Sequence, residues 1–199
     1  GNRIAVITNS QQDSGASGGR VLLDPGAWNV RFASHEMAHG YDLGHSYSND
    51  LTYQNASWSQ PGEYDDMWDQ MSAQHVYSVN GGTFGQTGVG FNAFNRDKLG
   101  WLPMNRVRTF GSAGETSGTV TLAPLQQPGT AGPLLVRVPF SPGDLFTYYT
   151  VEYQRKLGWS RAIPADTVLI HEVRNGRPTL LRSLGAAGKP PAQSVNANG

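Results

Sequence analysis

The most informative stretch of this sequence is residues 35–45, which read His-Glu-Met-Ala-His-Gly-Tyr-Asp-Leu-Gly-His. Residues four apart on an α-helix share one face, with Cβ atoms about 5–6 Å apart, so His35 and His39 can bind the same ion. Glu36 lies at the flank of this pair, where its carboxylate can reach a water molecule without occupying a metal position. The stretch therefore predicts a helix that carries two metal ligands and a general base.

A third protein ligand is needed, because a catalytic zinc site usually has three and keeps one position for water or substrate. His45 is the predicted third ligand, provided that the helix stops soon after His39 and the chain reverses sharply. Gly40 and Gly44 are expected to supply the flexibility of that reversal. The competing assignment makes Asp42 the third ligand.

Residues 35–45 resemble the metzincin signature H-E-x-x-H-x-x-G-x-x-H, which is accompanied by a methionine turn beneath the histidines. Asp42 replaces the signature glycine, and Asp is one of the residues that best tolerate a left-handed backbone. Met71 is the candidate for the Met-turn, with Met67 as the alternative. The surrounding Trp-Asp-x-Met-Ser pattern of residues 68–72 resembles the secreted immune inhibitor A-like and gametolysin-like peptidases.

Further resemblance to these groups lies in residues 90–103 and in residues 149–171. Asn92 is a predicted N-cap, so residues 90–103 are expected to form a short helix packed under the zinc site. Several metzincins have a tyrosine two residues after the Met, where this chain has alanine. His75 and Tyr77 are candidates for an oxyanion or substrate contact, and partly buried loop residues are the competing interpretation.

Residues 46–89 have few regular patterns, and long ordered loops of this kind are usually functional. Carboxylate and amide oxygens in this segment are candidate ligands of a loop-stiffening Ca²⁺, although their spacing fits no defined calcium loop. The alternative is a solvated acidic loop. The residues concerned are Asn49, Asp50, Asp65, Asp66 and Asp69.

The sequence predicts an α+β fold. Strands are expected at residues 4–7 and 20–23, and a helix capped by Asn29 is expected to run to His39. Alternating patterns predict further strands at residues 119–122, 134–138, 148–153 and 167–173. The expected organisation is a zincin/metzincin-like catalytic domain over 1–103, an antiparallel β module over 104–182 and a flexible tail over 183–199. The catalytic domain should contain a zinc helix, a Met-turn and a C-terminal helix. Because only 34 residues precede His35, we expect its native N-terminal part to be missing.

Composition narrows the possible partners. Lys+Arg and Asp+Glu are equal at 15 each, so no charge excess favours nucleic acid or a membrane surface. No apolar run reaches the ~20 residues of a membrane span, and the absence of cysteine excludes disulfides and thiolate metal sites. We expect a monomer, and the resemblance implies a secreted, extracellular protein.

The resemblance implies a zinc-dependent endopeptidase that acts on proteins or peptides. Zn²⁺ held by His35, His39 and His45 would lower the pKa of a water ligand towards ~7 and polarise the scissile carbonyl. Glu36 would take the water proton and pass it to the leaving amine. A non-catalytic protein- or glycan-binding module on a zincin scaffold is the alternative, and a zinc hydrolase of non-peptide amides is a third possibility.

Overall fold

The molecule is built mostly from β-sheets, with two short α-helices among the described residues. The computed structural model describes residues 2–51, 59–72 and 76–181, and the backbone of residues 195–196. Helix α1 is Val30–His39 and helix α2 is Ala93–Lys98. The predicted α+β class is confirmed.

A small sheet supports α1. It contains β1 (Ile4–Ile7), β2 (Gly15–Ser17) and β3 (Arg20–Leu23) in the order β1-β3-β2. β1 runs parallel to β3, and β2 runs antiparallel to it. Val21 and Leu23 of β3 form a buried cluster against which Phe32 of α1 packs. Strands β1 and β3 confirm the prediction, and β2, which was not predicted, lies between them along the chain.

The boundaries of α1 follow from local chemistry. The Asn29 side chain accepts a hydrogen bond from the backbone N–H of Phe32 at 2.9 Å, which satisfies one of the unpaired donors at the helix start. The helix ends at His39. Both limits are those predicted from the sequence.

The turn after α1 needs its glycines for different reasons than expected. Gly40 has helical backbone angles, but a Cβ there would lie 2.9 Å from Cγ2 of Val21, so glycine permits close packing against β3. Asp42 is the left-handed residue of the turn, with φ of 64°, as predicted. A Cβ on Gly44 would meet open space, so neither glycine supplies the left-handed turn.

A larger sheet contains seven strands of the described residues: β4 (Tyr47–Ser48), β7 (Val107–Thr109), β8 (Leu135–Pro139), β9 (Thr147–Gln154), β10 (Thr167–Arg174), β11 (Arg177–Leu180) and β12 (Val195–Asn196). Their order is β4-β11-β10-β9-β8-β7, with β12 also pairing with β10. A separate hairpin joins β5 (Ser78–Asn80) to β6 (Gln86–Gly88).

The predicted antiparallel module is correct only in the centre of this sheet. Strands β8 to β11 are antiparallel and confirm the strands predicted at 134–138, 148–153 and 167–173. The β4–β11 and β7–β8 pairs are parallel. The strand predicted at 119–122 is wrong, because Val120 and Leu122 line a cavity over the β8–β9 face instead of pairing along an edge.

The large sheet contains strands from both sides of residue 103, since β4 precedes it and the other strands follow it. The domain division at that residue stays a prediction. Within the predicted tail, the backbone of β12 pairs with β10, and the rest of the tail lies outside the described residues. One buried cluster likewise joins both parts of the chain: Trp68, Val76, Val89, Ile163, Leu169 and Leu180.

Candidate metal centre

Three imidazoles converge at the end of α1. The helix places His35 and His39 one turn apart, with their Nε2 atoms separated by 3.0 Å. After the turn, the His45 ring lies 4.8 Å from the His39 ring and 5.5 Å from the His35 ring, measured between centroids. One ring nitrogen from each residue lies within 4.8 Å of the others, so the three histidines are close enough to hold a metal ion.

The surrounding structure fixes which nitrogen of each ring is available. Because a carbonyl or ionised carboxylate oxygen can only accept, each Nδ1 carries the proton and Nε2 keeps its lone pair. This is the arrangement that orients histidines in metal sites. The Nδ1–H groups donate to Gln70 O from His35 at 3.2 Å, to Leu43 O from His39 at 2.8 Å and to Glu63 Oε1 from His45 at 2.5 Å.

Two of the rings are held neutral by their surroundings. Burial, reinforced by the neighbouring His39, lowers the pKa of His35 to about 3. Burial also lowers the pKa of His45, against the opposing hydrogen bond to Glu63. The Nε2 atoms of His35 and His39 lie 3.0 Å apart, close enough to bind one shared cation. The three imidazoles therefore form a donor set that fits a divalent metal ion.

Asp42 lies outside this cluster. Its side chain is 77% exposed and pairs with Arg3 at 3.6 Å. Its backbone carbonyl accepts a hydrogen bond from Lys98 Nζ at 2.7 Å. The residue shapes the turn through its backbone and directs its carboxylate to the protein surface.

Glu36 lies beside the histidines and is only 7% exposed. Burial raises the pKa of its carboxyl group, and the nearby His39 opposes that shift. A raised pKa brings a carboxylate closer to the proton affinity that a general base needs near neutral pH. The position and the chemistry of Glu36 thus match the role predicted from the sequence.

Tyr64 is a component of the site that the sequence did not indicate. Its ring lies 4.2 Å from the ring of His45, between centroids. Burial, together with the carboxylates of Glu63 and Glu36, raises its pKa to about 12, so the phenol keeps its proton at neutral pH. Its φ of 68° is unusual for an aromatic residue, and strain of this kind is concentrated at functional sites.

Met71 forms the floor beneath the histidines. It is completely buried and clusters with Ala38 of α1 and with Leu43 of the turn. Phe91 and Leu99, at the two ends of α2, pack against the same cluster, as expected for the predicted short helix. The competing candidate, Met67, packs instead against the cluster that contains Trp68.

Asp69 ties this floor to its neighbours. Its carboxylate accepts hydrogen bonds from the Ser46 hydroxyl, from the backbone N–H of Met71 at 3.3 Å and of Asn92 at 2.6 Å, and from the Asn95 amide at 2.7 Å. Burial and the neighbouring Asp66 raise the pKa of Asp69 to about 7. Four donors on one carboxylate join the segment after His45, the Met71 turn and α2.

Asp66 is also fully buried, and it pairs with His171 of β10 at 3.0 Å. Its other oxygen accepts the backbone N–H of Trp68 at 3.0 Å. Glu152 of β9 accepts the backbone N–H of Ala93 at the start of α2. These buried acids therefore connect the large sheet to the segments around the histidines.

The interpretation of residues 46–89 as a solvated acidic loop is wrong, because four of its acids are buried. Asp66 and Asp69, which were candidate calcium ligands, accept hydrogen bonds from protein donors. Among the described residues, the histidine triad is the only group of His, Cys, Asp or Glu side chains placed closely enough to hold a metal ion. The buried acids are Asp50, Asp65, Asp66 and Asp69.

The two remaining candidate residues have different outcomes. His75 lies outside the described residues. Tyr77 packs its ring edge-on against Trp68, with the ring centroids 5.1 Å apart. Its backbone N–H donates to Met67 O at 3.1 Å, so the structure gives Tyr77 a core contact.

Comparison of the chain with protein-family models, curated proteins and solved structures finds no match in any of the three. Neither helix of the described residues has the length and apolar character needed to cross a membrane. The geometry of the site is therefore the observation from which a function can be inferred.

Proposed function

We propose that this chain is a zinc-dependent endopeptidase with a metzincin-like catalytic centre, secreted and acting on protein or peptide substrates. The observation that carries the proposal is the convergence of three oriented imidazoles beside a buried carboxylate. His35, His39 and His45 would hold Zn²⁺ through Nε2, and Glu36 would serve as the general base. Three histidines form one of the donor sets of catalytic zinc, which leaves a position for water.

When bound, Zn²⁺ would supply Lewis-acid polarisation of the substrate carbonyl and a lower pKa for a water ligand. Glu36 would accept the proton of the attacking water and return it to the leaving amine. Its burial supports this role, because a raised pKa makes the carboxylate a stronger base towards the proton of the attacking water.

Tyr64 would donate a hydrogen bond to the substrate oxygen on which negative charge develops. Its ring lies against that of His45, and its hydroxyl stays protonated because the pKa is raised to about 12. A donor already in place at such an oxygen stabilises the transition state more than the ground state. Tyr64 would therefore contribute mainly to kcat.

In the decisive experiment, the purified protein is incubated with a mixed peptide library, with and without a zinc chelator, and peptide cleavage is measured. We expect cleavage that the chelator abolishes and added Zn²⁺ restores. Glu36→Gln should keep the fold and the bound metal but lose cleavage, since the amide cannot accept the water proton.

Glu115→Gln is the matched control, because Glu115 pairs with Arg108 far along the chain and should not affect cleavage. Unchanged proteolysis by Glu36→Gln would refute the general-base assignment. A zinc-loaded wild-type protein that cleaves no peptide would instead favour the non-catalytic binding module or a hydrolase of non-peptide amides.

A further inference from the structure

A cavity separate from the metal centre lies against the N-terminal half of α1, on the side of Gln70. Its volume is about 300 Å³, at the lower end of the range for small-molecule sites. Gln70 connects the two sites, because its carbonyl accepts the Nδ1–H of His35 and its side-chain amide donates to Arg31 O. The cavity is thus close to the metal centre without containing any of the three histidines.

Aromatic rings form much of the cavity wall. Phe91 and Trp101 meet edge to face, with their centroids 5.7 Å apart, and Trp159 also lines the cavity. Both indoles are more than 60% exposed, so apolar surface is available to a ligand. Exposed aromatic surface around a concave site favours a flat, apolar ligand group.

The polar lining of this cavity is cationic. Arg31 and Arg96 both line the cavity, and none of the described residues that line it carries a carboxylate. Nε of Arg31 is buried and has no hydrogen-bond partner among the described residues. Arg31 as a residue is only partly buried, so its remaining guanidinium donors can meet an anion that enters the cavity.

The two arginines differ in how many protein groups already bind or neutralise their guanidinium charge. Arg96 donates to the carbonyls of Phe91 and Leu125, and the buried Glu152 and Asp69 lie within electrostatic range of its charge. Within the described part of the chain, the Arg31 side chain makes one hydrogen bond, a 3.4 Å contact from Nη1 to Ser78 Oγ, and its pKa is lowered by burial alone. Arg31 is therefore the group that an incoming anion would neutralise.

We propose that this cavity binds an aromatic carboxylate, with the ring against Trp101 and Trp159 and the carboxylate on Arg31. A free aromatic acid and a peptide that ends in an aromatic residue share this chemistry. The proposal does not require the metal centre to be catalytic.

The first test is calorimetric titration with N-acetylphenylalanine and with its uncharged amide, while NMR monitors the indole N–H signals of Trp101 and Trp159. We expect the acid to bind with a Kd of about 1 mM or lower, given its size. The amide should bind about tenfold more weakly, because it lacks the charge-assisted hydrogen bond. Titration of a longer peptide ending in phenylalanine distinguishes the two ligand sources.

Arg31→Met keeps the aliphatic stem and removes the charge, so acid and amide should then bind equally weakly. Arg31→Lys should restore part of the preference for the acid. Circular dichroism checks that both variants fold. The metal-binding and cleavage assays are run separately, so failure of this proposal is distinguishable from failure of the peptidase proposal.

Each titration is repeated after chelation of the metal, because a carboxylate can also bind a metal ion. Binding that persists without metal and shifts both indole signals supports the cavity. The proposal is overturned by loss of binding on chelation, by equal affinity of wild type for acid and amide, or by no binding at 10-fold the expected Kd of about 1 mM.

Discussion

Glu63 provides the sharpest test of the metal centre, because it touches the only metal-ligand candidate that is not on α1. Its Oε1 accepts the Nδ1–H of His45 at 2.5 Å, and its Oε2 accepts the backbone N–H of Gln60 at 2.8 Å. Burial raises its pKa, but these hydrogen bonds outweigh that effect and leave the pKa lowered. Glu63 is therefore ionised at neutral pH and makes the His45 ring a stronger ligand.

Loss of such an outer partner typically weakens metal binding by about 10–100-fold, or ~1.4–2.7 kcal/mol. Glu63→Gln keeps the shape and one acceptor oxygen but loses the charge, so we expect a loss near the lower limit. Glu63→Ala also releases the ring and should approach the upper limit. The measurement is competition for Zn²⁺ against a chromophoric chelator at fixed pH and ionic strength.

A control variant and a double variant distinguish the loss of His45 orientation from a general loss of protein stability. Glu115→Gln removes an acid that pairs with Arg108 and should leave the metal affinity unchanged. In a His45→Ala background, Glu63→Ala should have little further effect, because its partner is already absent. Two results would refute a role of Glu63 in orienting His45. One is a Glu63→Ala variant that binds Zn²⁺ as tightly as wild type, and the other is a double variant in which the two losses of affinity simply add.

The same carboxylate predicts a pH dependence of the metal-free protein. Because the folded pKa of Glu63 is lowered from 4.5, its contribution to stability is fully present above that pH and is lost as the pH falls through the lowered value. The unfolding free energies of wild type and Glu63→Gln should therefore converge under acid conditions. The measurement is a denaturant titration at each of a series of pH values. A difference between the two proteins that stays constant across the series would contradict this assignment.

Three further predictions concern the metal ligands, the floor of the site and the phenol. His45→Ala should abolish tight Zn²⁺ binding and Asp42→Ala should retain it; the reverse result would make Asp42 the third ligand. Met71→Ala should cost about 2–5 kcal/mol of unfolding free energy and Met71→Leu less than about 1.5, measured by denaturant titration, and equal costs would argue against a tightly packed floor. Tyr64→Phe should keep the metal and reduce kcat by about 10²–10³-fold with little change in KM; an unchanged kcat would remove Tyr64 from the mechanism.

Sequence reasoning succeeded where the information is local. The cap at Asn29, the limits of α1 and the spacing of His35 and His39 depend on neighbouring residues, and all three are read directly from the chain. The longer strands β8, β9 and β10 were predicted because each carries enough alternating residues to reveal its period. The two-residue strand β4 carries too little pattern for this.

Sequence reasoning failed where a residue acquires its role from a distant partner. Asp66 and Asp69 look like surface acids in a polar loop, but His171 on β10 and Asn95 on α2 bury them. Tyr64 reaches His45 only through the folding of the intervening loop, and no periodic signal marks it. Pattern methods register composition and period, whereas these contacts span up to 105 residues of sequence.

These distant contacts converge on one short turn, which explains how the chain orients ligands from two different segments. The Gln70 carbonyl accepts the Nδ1–H of His35, while Asp69 and the Met71 carbonyl bind Ser46, the residue after His45. The ring of His35 and the backbone that follows His45 are therefore both held by consecutive residues of a single turn. Because Asp69 also holds α2, a displacement of that turn would move both imidazoles together, which preserves their mutual geometry better than independent supports would.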